Sequence, residues 1–364
     1  MAMHPGLDRA VAPGARLVAD ARLALARASH PLARRLRSAR RPSHRLNLVI
    51  KRLQERLRLA RRLLGQLRDY GGLPGTLLLF GTVSYGDDLL CTAVFHELKK
   101  RGRHRLWMMS RLPELFAGNP DVDRVLPIDM HFFLLARYLG RRAVQPYYND
   151  YRDDEDRDCM PPRHLIAEMC RLCGVTGPVA LRPYLVLRED EVAAGRLAPR
   201  QVAIQSSGGA AHYAMRNKEW FPERYQEMID RLRDRFDFIQ VGSPADPPLT
   251  GVLDRRGTPL RTTAAILHRS LAFVGHVGFL MHLARAVDCR SAIIYGGRED
   301  PAITGYPCNE NLFTPLDCAP CGLRNRCPYD RACLSQISAD HAADALLRVI
   351  ARQAGPLETA LTEL

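Results

Sequence analysis

Apolar residues recur at alternating four- and three-residue steps across positions 45–70: Leu46, Ile50, Leu53, Leu57, Ala60, Leu64 and Leu67, with arginines on most of the remaining faces. The spacing predicts an amphipathic helix whose polar side is basic. After Tyr70 the pattern changes to short apolar blocks. Thr76–Phe80 (TLLLF), bounded by Gly75 and Gly81, predicts a buried strand running into the loop 81–87. Leu89, Leu90, Val94, Phe95 and Leu98 then predict a helix that stops at Lys99-Lys100-Arg101-Gly102. Strands are expected at 105–109 and 124–128, with a short helix between them. From about residue 180 the scheme repeats: strands at 201–205, 238–241, 271–275 and 291–295 alternate with helices starting near Pro222, Thr262 and Gly278.

Strand–helix–strand order of this kind predicts parallel sheets with helices on both faces. The expected α/β architecture has a helical extension (1–72), a first Rossmann-like domain (73–180) and a second (181–364). At 364 residues the chain has room for about two domains. Two doubly wound sheets leave a cleft at their strand C-terminal ends, where ligands bind in such sheets. The acidic run 150–158 (DYRDDEDRD) is read as a solvated loop.

Charge changes the picture at one end only. Residues 1–70 carry 17 of the 53 Lys+Arg and 4 of the 39 acids, hence +13 of the net +14. The remainder is electrically balanced, so the basic character belongs to the extension. A basic amphipathic helix over 45–70 suits an anionic membrane surface. A helix packed on the body, a coiled-coil seam and an organellar transit peptide stay open as alternatives. A nucleic-acid binder is a further alternative, opposed by the lack of aromatic residues among the arginines. No apolar run approaches the roughly 18 residues needed to span a bilayer.

Cys318, Cys321, Cys327 and Cys333 follow the last expected strand with the spacing C-x2-C-x5-C-x5-C, and Pro320, Gly322, Asn325 and Pro328 supply turns between them. The spacing predicts a knuckle at 318–333 holding a structural zinc or iron. Reduced thiols under a helix are the plainer alternative. Disulfides are disfavoured because the chain shows no secretory leader. Cys91, Cys159, Cys170, Cys173, Cys289 and Cys308 are expected as buried small residues, and Cys170-x2-Cys173 lacks the second pair of a metal site.

Five segments in register resemble a known family. Gly86-Asp87-Asp88-Leu89-Leu90-Cys91-Thr92, then Gly118-Asn119-Pro120-Asp121-Val122-Asp123-Arg124-Val125, then Lys218-Glu219-Trp220-Phe221-Pro222-Glu223 are similar to the heptosyltransferase-like glycosyltransferases, family 9. So are Phe273-Val274-Gly275 with Met281-His282-Leu283-Ala284, and Cys318-Ala319-Pro320-Cys321 leading to Cys333. The resemblance covers about residues 76–350. It implies a GT-B fold and inverting transfer of a sugar, typically heptose from an ADP-linked donor, to lipopolysaccharide core at the cytoplasmic face of the bacterial inner membrane. It implies no catalytic cation. A non-catalytic or protein-modifying relative of the same fold is the alternative.

Inverting transfer needs a carboxylate for the acceptor hydroxyl's proton and positive charge where the nucleotide diphosphate departs. Asp87, at a loop-to-helix junction, is the expected base; capping its helix is its bland role, and Asp88 leaves open which carboxylate points inward. Lys218 is one of only four lysines against 49 arginines, and is expected to face the diphosphate unless it is an ordinary surface residue. Ser206, Ser207, Gly208 and Gly209 end a strand and are candidates for a phosphate cradle. Where the family reads Asp-Ser/Thr-Gly, this chain has Val277, Gly278 and Phe279, preceded by His276, so a donor other than ADP-heptose becomes plausible. Gly275, Gly278 and Arg298 are expected at the donor. His282 is either a donor contact or a satisfied core histidine.

Overall fold

A computed structural model of the protein describes residues 44–71, 76–80, 84–102, 105–138, 142–211, 213–352, 357 and 359–364. The chain forms two units that divide after Pro74. In the first, helix α1 (His44–Gly71) carries eight Lys and Arg against Glu55 and Asp69. Along it Leu48, Val49 and Leu53 are exposed, and Ile50, Leu57, Ala60 and Leu64 half-buried. The side chains of Leu46 and Leu67, residues 1–43 of the extension and residues 81–83 of the first loop lie outside the described residues. No helix among the described residues is long and apolar enough to cross a membrane.

The second unit, from Gly75 onward, contains two parallel sheets. The first is built from β1 (Thr76–Phe80), α2 (Tyr85–Lys100), β2 (Arg105–Met109), β3 (Arg124–Leu126), α3 (Met130–Tyr138) and β4 (Ala143–Val144). Its strand order is β3-β2-β1-β4, all parallel. Leu77, Leu78 and Leu79 are all buried, which is why β1 reads as an unbroken apolar run rather than an alternating one. An antiparallel hairpin, β5 (Asp150–Arg152) and β6 (Arg157–Cys159), then α4 (Leu165–Leu172), β7 (Val179–Ala180) and α5 (Glu189–Ala194) lead to the second sheet.

That sheet comprises β8 (Gln201–Ile204), β9 (Asp237–Gln240), β10 (Leu253–Asp254), β11 (Phe273–His276), β12 (Ser291–Gly296) and β13 (Glu310–Phe313), in the order β10-β9-β8-β11-β12-β13, again all parallel. Helices α6 (Pro222–Leu232), α7 (Leu260–Arg269), α8 (Phe279–Ala286), α9 (Pro301–Thr304), α10 (Ala332–Ser335) and α11 (Ala339–Ala351) intervene. A last strand, β14 (Leu361–Thr362), returns to pair antiparallel with β7. The two flanked sheets form the bilobed α/β arrangement expected of GT-B. One apolar core joins them, running from Leu89, Leu90 and Val94 of α2 to Met281, Leu283 and Ala284 of α8. A second core, with Trp220, Met228, Ile229 and Leu346, fills the outer side of the larger sheet. Trp220 of the family-like segment belongs there, its indole donating to Ile337 O at 3.2 Å.

Two expectations need correction. Among the described residues no group of three or more His, Cys, Asp or Glu side chains is gathered to hold a metal ion, so the four cysteines do not form the expected zinc or iron knuckle. Cys318 is exposed, all four thiols are free, and Cys327 Sγ accepts from the Arg331 amide at 3.3 Å. Polar contacts pin this segment instead. Asp156 accepts from the amides of Asn325 (2.7 Å) and Arg326 (2.9 Å), Asn217 Nδ2 donates to Leu323 O, and Gly322 N donates to Arg298 O. The acidic run 150–158 is correspondingly not a solvated loop: it forms the β5–β6 hairpin, and Asp156 and Asp158 are buried. Their charge is matched by donors far along the chain, which local composition does not reveal.

Candidate active site

Each sheet reverses its winding once, between β1 and β4 in the first and between β8 and β11 in the second. The loops leaving these four strands carry most of the candidate residues, as expected at such switch points. Asp87 stands in the first turn of α2, after β1; the N-cap is Ser84. Tyr148, after β4, donates from its hydroxyl to Asp87 Oδ1 at 2.6 Å. Burial, then the negative charges of Asp87, Glu299 and Asp158, push the Tyr148 phenol well above its ordinary range, so it remains a donor. Tyr148 is therefore bonded to Asp87 and within the electrostatic reach of Glu299 and Asp158.

The neighbouring Asp88 turns the other way. It is buried and accepts from Ser110 Oγ, while its Oδ1 has no hydrogen-bond partner among the described residues. Burial raises its pKa to about 7, against the pull of the Ser110 hydrogen bond. Of the two adjacent carboxylates, Asp87 is the half-exposed one, bonded to Tyr148.

Lys218 closes a short 3-10 turn, Arg216–Lys218, and its Nζ lies 2.6 Å from Glu299 Oε1. Glu299 also accepts from Arg298, which donates in turn to Asp158 of β6 and, through Nε, to Leu323 O at 3.0 Å. Asp158 accepts again from Arg324 at 2.5 Å, and the Arg324 guanidinium sits 3.7 Å over the Tyr151 ring. Lys218, Glu299, Arg298, Asp158 and Arg324 thus alternate in sign along one ladder between the lobes. For Glu299, burial works upward, but Lys218 and Arg298 outweigh it and hold the carboxyl below its usual value. For Asp158, burial is likewise overcome by Arg324 and Arg298. Arg298, expected at the donor, spends its donors inside this ladder.

At the second switch point the expected phosphate cradle already holds an anion from the chain itself. Glu219 accepts from Ser207 Oγ at 2.6 Å and from the Gly208 amide at 2.8 Å. Gly209 N donates to Ser207 Oγ at 2.9 Å. Ser206 is fully buried and ties β8 to Pro247 O and Gln240. His276, at the end of β11, is buried against Gly208, where a Cβ would come within 2.4 Å of its Nε2. Its Nδ1 has no hydrogen-bond partner among the described residues.

The remaining candidates serve packing. Gly275 leaves room for Phe273 two residues earlier in β11: a Cβ at Gly275 would fall 2.5 Å from its Cζ. Gly278 is the N-cap of α8, and Val277 is buried. Phe279 meets Tyr85 of α2 edge-to-face, ring centroids 6.0 Å apart. His282 is a satisfied core histidine: its Nδ1 is 2.7 Å from the Tyr306 hydroxyl, and burial lowers its pKa to about 3. Asp300 caps α9 through the Ala302 amide at 2.8 Å. Sequence reasoning missed Tyr148, Glu219 as a cradle anion, Glu299 and Asp158. The available signals were that Glu219 and Glu299 adjoin the singled-out Lys218 and Arg298, and that Tyr147-Tyr148 follows a short apolar run.

No protein-family model and no curated protein matches the chain. Solved structures do. The ADP-heptose lipopolysaccharide heptosyltransferase II of E. coli superposes with a TM-score of 0.57 at 14% identity, over 77% of this chain and 100% of that one. A family 9 glycosyltransferase from Veillonella parvula gives 0.55 at 14%, over 77% and 98%. The iron-containing dodecameric glycosyltransferase TibC of enterotoxigenic E. coli gives 0.57 at 18%, over 76% and 78%. At these identities the likeness is one of fold, and the body of this protein has the fold of the heptosyltransferases.

Proposed function

We propose that residues 75–364 are an inverting glycosyltransferase moving a heptose-like sugar from a nucleotide-diphosphate donor, ADP-linked in the first instance, to a cell-envelope glycan such as lipopolysaccharide core. The observation that carries this reading is that Asp87 and Lys218 border one cluster: Asp87 is bonded to Tyr148, and Lys218 to the Glu299 whose charge acts on that same phenol. A carboxylate and an ammonium so disposed, in a fold shared with heptosyltransferases, suit the two demands of the reaction.

In this reading Asp87 takes the acceptor hydroxyl's proton while Tyr148 holds the carboxylate in place. Lys218 exchanges Glu299 for the departing diphosphate. Glu299 keeps Arg298 as a partner after the exchange, so freeing the lysine does not strand a buried carboxylate. Helix α1 places the enzyme peripherally on the anionic inner face of the bacterial inner membrane, its leucines at the headgroup boundary.

A specific observation favours a second reading, a relative that binds without turning over. Glu219 occupies the Ser207 and Gly208 donors, and Phe279 packs on Tyr85. One experiment separates the two. Thermal stability is measured against ADP, UDP and GDP and their sugar conjugates, followed by transfer to lipopolysaccharide-core acceptors. The transferase reading expects a nucleotide-dependent rise in Tm together with transfer that Asp87→Ala abolishes; binding without transfer by any donor favours the second reading, and no shift with any nucleotide ends the first.

A further inference from the structure

Helix α3 (MHFFLLARY) is apolar on two opposite faces. Phe132, Phe133 and Ala136 are buried in the body, as the inner face of a crossover helix should be. Met130, Leu134 and Tyr138, four residues apart and so stacked one above another on the helix surface, face outward at 44%, 54% and 86% exposure. Arg137 and His131, both exposed, border this stripe on either side at 100° per residue. A surface helix ordinarily turns charged residues outward, so an outward apolar stripe about 12 Å long calls for a partner.

We propose that this outer face of α3 docks the first lobe on an anionic membrane surface, a second contact beside the one proposed for α1. Charge favours that occupant: residues 130–142 carry Arg137, Arg141 and Arg142 and no acid. Arg142 is exposed, with one guanidinium nitrogen donating to Cys173 O at 2.6 Å. Asp129, just before the helix, is buried and accepts from the Phe132 amide at 3.2 Å, so it caps α3 rather than facing the stripe. Size points the same way. The three side chains expose on the order of 400 Å² together, well short of the roughly 800 Å² per partner that a stable dimer buries. Tyr138, an apolar ring with a polar tip, suits the headgroup boundary. The stripe offers no more apolar surface than a single myristoyl chain, which alone binds marginally, so α3 orients a protein that α1 brings to the bilayer. The contact does not depend on the transferase reading; under that reading, the lobe held at the bilayer is the one that carries Asp87.

The test uses the full chain and vesicles of phosphatidylcholine containing about one quarter phosphatidylglycerol. Tyr138→Trp sets an indole at the most exposed position of the stripe, while the two native tryptophans, Trp107 and Trp220, are buried and give a constant background. On adding vesicles, the emission of this variant is expected to shift to the blue and its quenching by acrylamide to fall. Leu134→Gln combined with Tyr138→Gln, both at exposed helix positions, is expected to leave Tm within about 1 °C of wild type. The same double variant is expected to lower partition of the full chain onto these vesicles about tenfold, as for withdrawing the equivalent of one buried side chain. Vesicle-bound protein whose emission and quenching match those of the free protein overturns the proposal and leaves the role of α1 intact. A double variant that partitions like wild type does the same. Full-length protein that stays in the supernatant with every vesicle overturns both contacts. A wild type that dimerises without lipid, and that the double variant makes monomeric, assigns the stripe to a second copy of the chain and overturns the membrane contact.

Discussion

The Tyr148 hydroxyl donates to Asp87 Oδ1 at 2.6 Å, joining the loop after β4 to the first turn of α2 across the switch point of the smaller sheet. The bond holds the Asp87 carboxylate by its Oδ1. Asp87→Asn is expected to lower kcat by about 10²–10⁴ with nucleotide affinity unchanged. Tyr148→Phe, which removes this hydrogen bond from the carboxylate, is expected to lower kcat about five- to tenfold at constant donor KM. Steady-state kinetics decide both, and an Asp87→Asn enzyme with a tenth or more of wild-type turnover removes Asp87 from its role.

Asp88 predicts a pH effect on folding. Its pKa rises from 3.8 to about 7 on burial, so the folded chain holds this proton more tightly than the unfolded one. The resulting cost to stability is absent below about 3.8, grows as pH rises, and is complete above about 7. Asp88→Asn, neutral at every pH and still able to accept from Ser110, is expected to stabilise by about 2–4 kcal/mol at pH 8. The gain should vanish near pH 4. Urea midpoints of both proteins at the two pH values supply the comparison.

The ladder predicts the opposite sign. Asp158 and Glu299 are held below their ordinary 3.8 and 4.5, so their contribution is full above those values and fades as pH falls below them. Asp158→Ala strips Arg298 and Arg324 of a common partner and is expected to cost about 3–5 kcal/mol at pH 7. The difference from wild type should narrow below about pH 3.8, as followed by denaturant unfolding. A loss under about 1 kcal/mol at pH 7 would show that the ladder contributes little to the fold.

Glu219 predicts a gain of binding. Glu219→Gln keeps an oxygen for the Gly208 amide and offers its NH2 to Ser207 Oγ, but removes the negative charge from the cradle. Affinity for a free nucleoside diphosphate is expected to rise about three- to tenfold, measured by calorimetry at low salt. Unchanged or weaker binding would place the diphosphate away from β8.

Helix α1 predicts salt-sensitive membrane association. Full-length protein should sediment with vesicles containing phosphatidylglycerol at low salt and be released as salt rises. Deleting residues 1–71 should abolish this while leaving the body's unfolding transition in place. Equal sedimentation with neutral vesicles, or of the deleted protein, would assign α1 another partner.

Much of the fold was legible because buried parallel strands advertise themselves: TLLLF of β1 and SAIIYG of β12 are unbroken apolar runs. Shorter or more polar strands escaped. Ala143–Val144 is two residues long, and Glu310–Phe313 is a partly exposed edge strand. At the site, Asp87 and Lys218 were legible from loop position and residue type. Their partners were not, since Asp158 meets Arg298 across 140 positions and Arg324 across 166. The four-cysteine spacing permitted convergence on a metal without requiring it, and the turns between the cysteines are secured by Asp156 and Asn217.

The apolar seam between α2 and α8 bears on how far the two lobes can move apart. Swinging the halves apart like a clamshell would wet Leu89, Leu90, Met281 and Leu283 together, at about 1.5–3 kcal/mol for each side chain fully uncovered. Wide opening is therefore expensive, and smaller movements are favoured over it. Tyr85 and Phe279, ring edge against ring face with centroids 6.0 Å apart, join the same two helices from the outer side, so any such movement must part this pair as well.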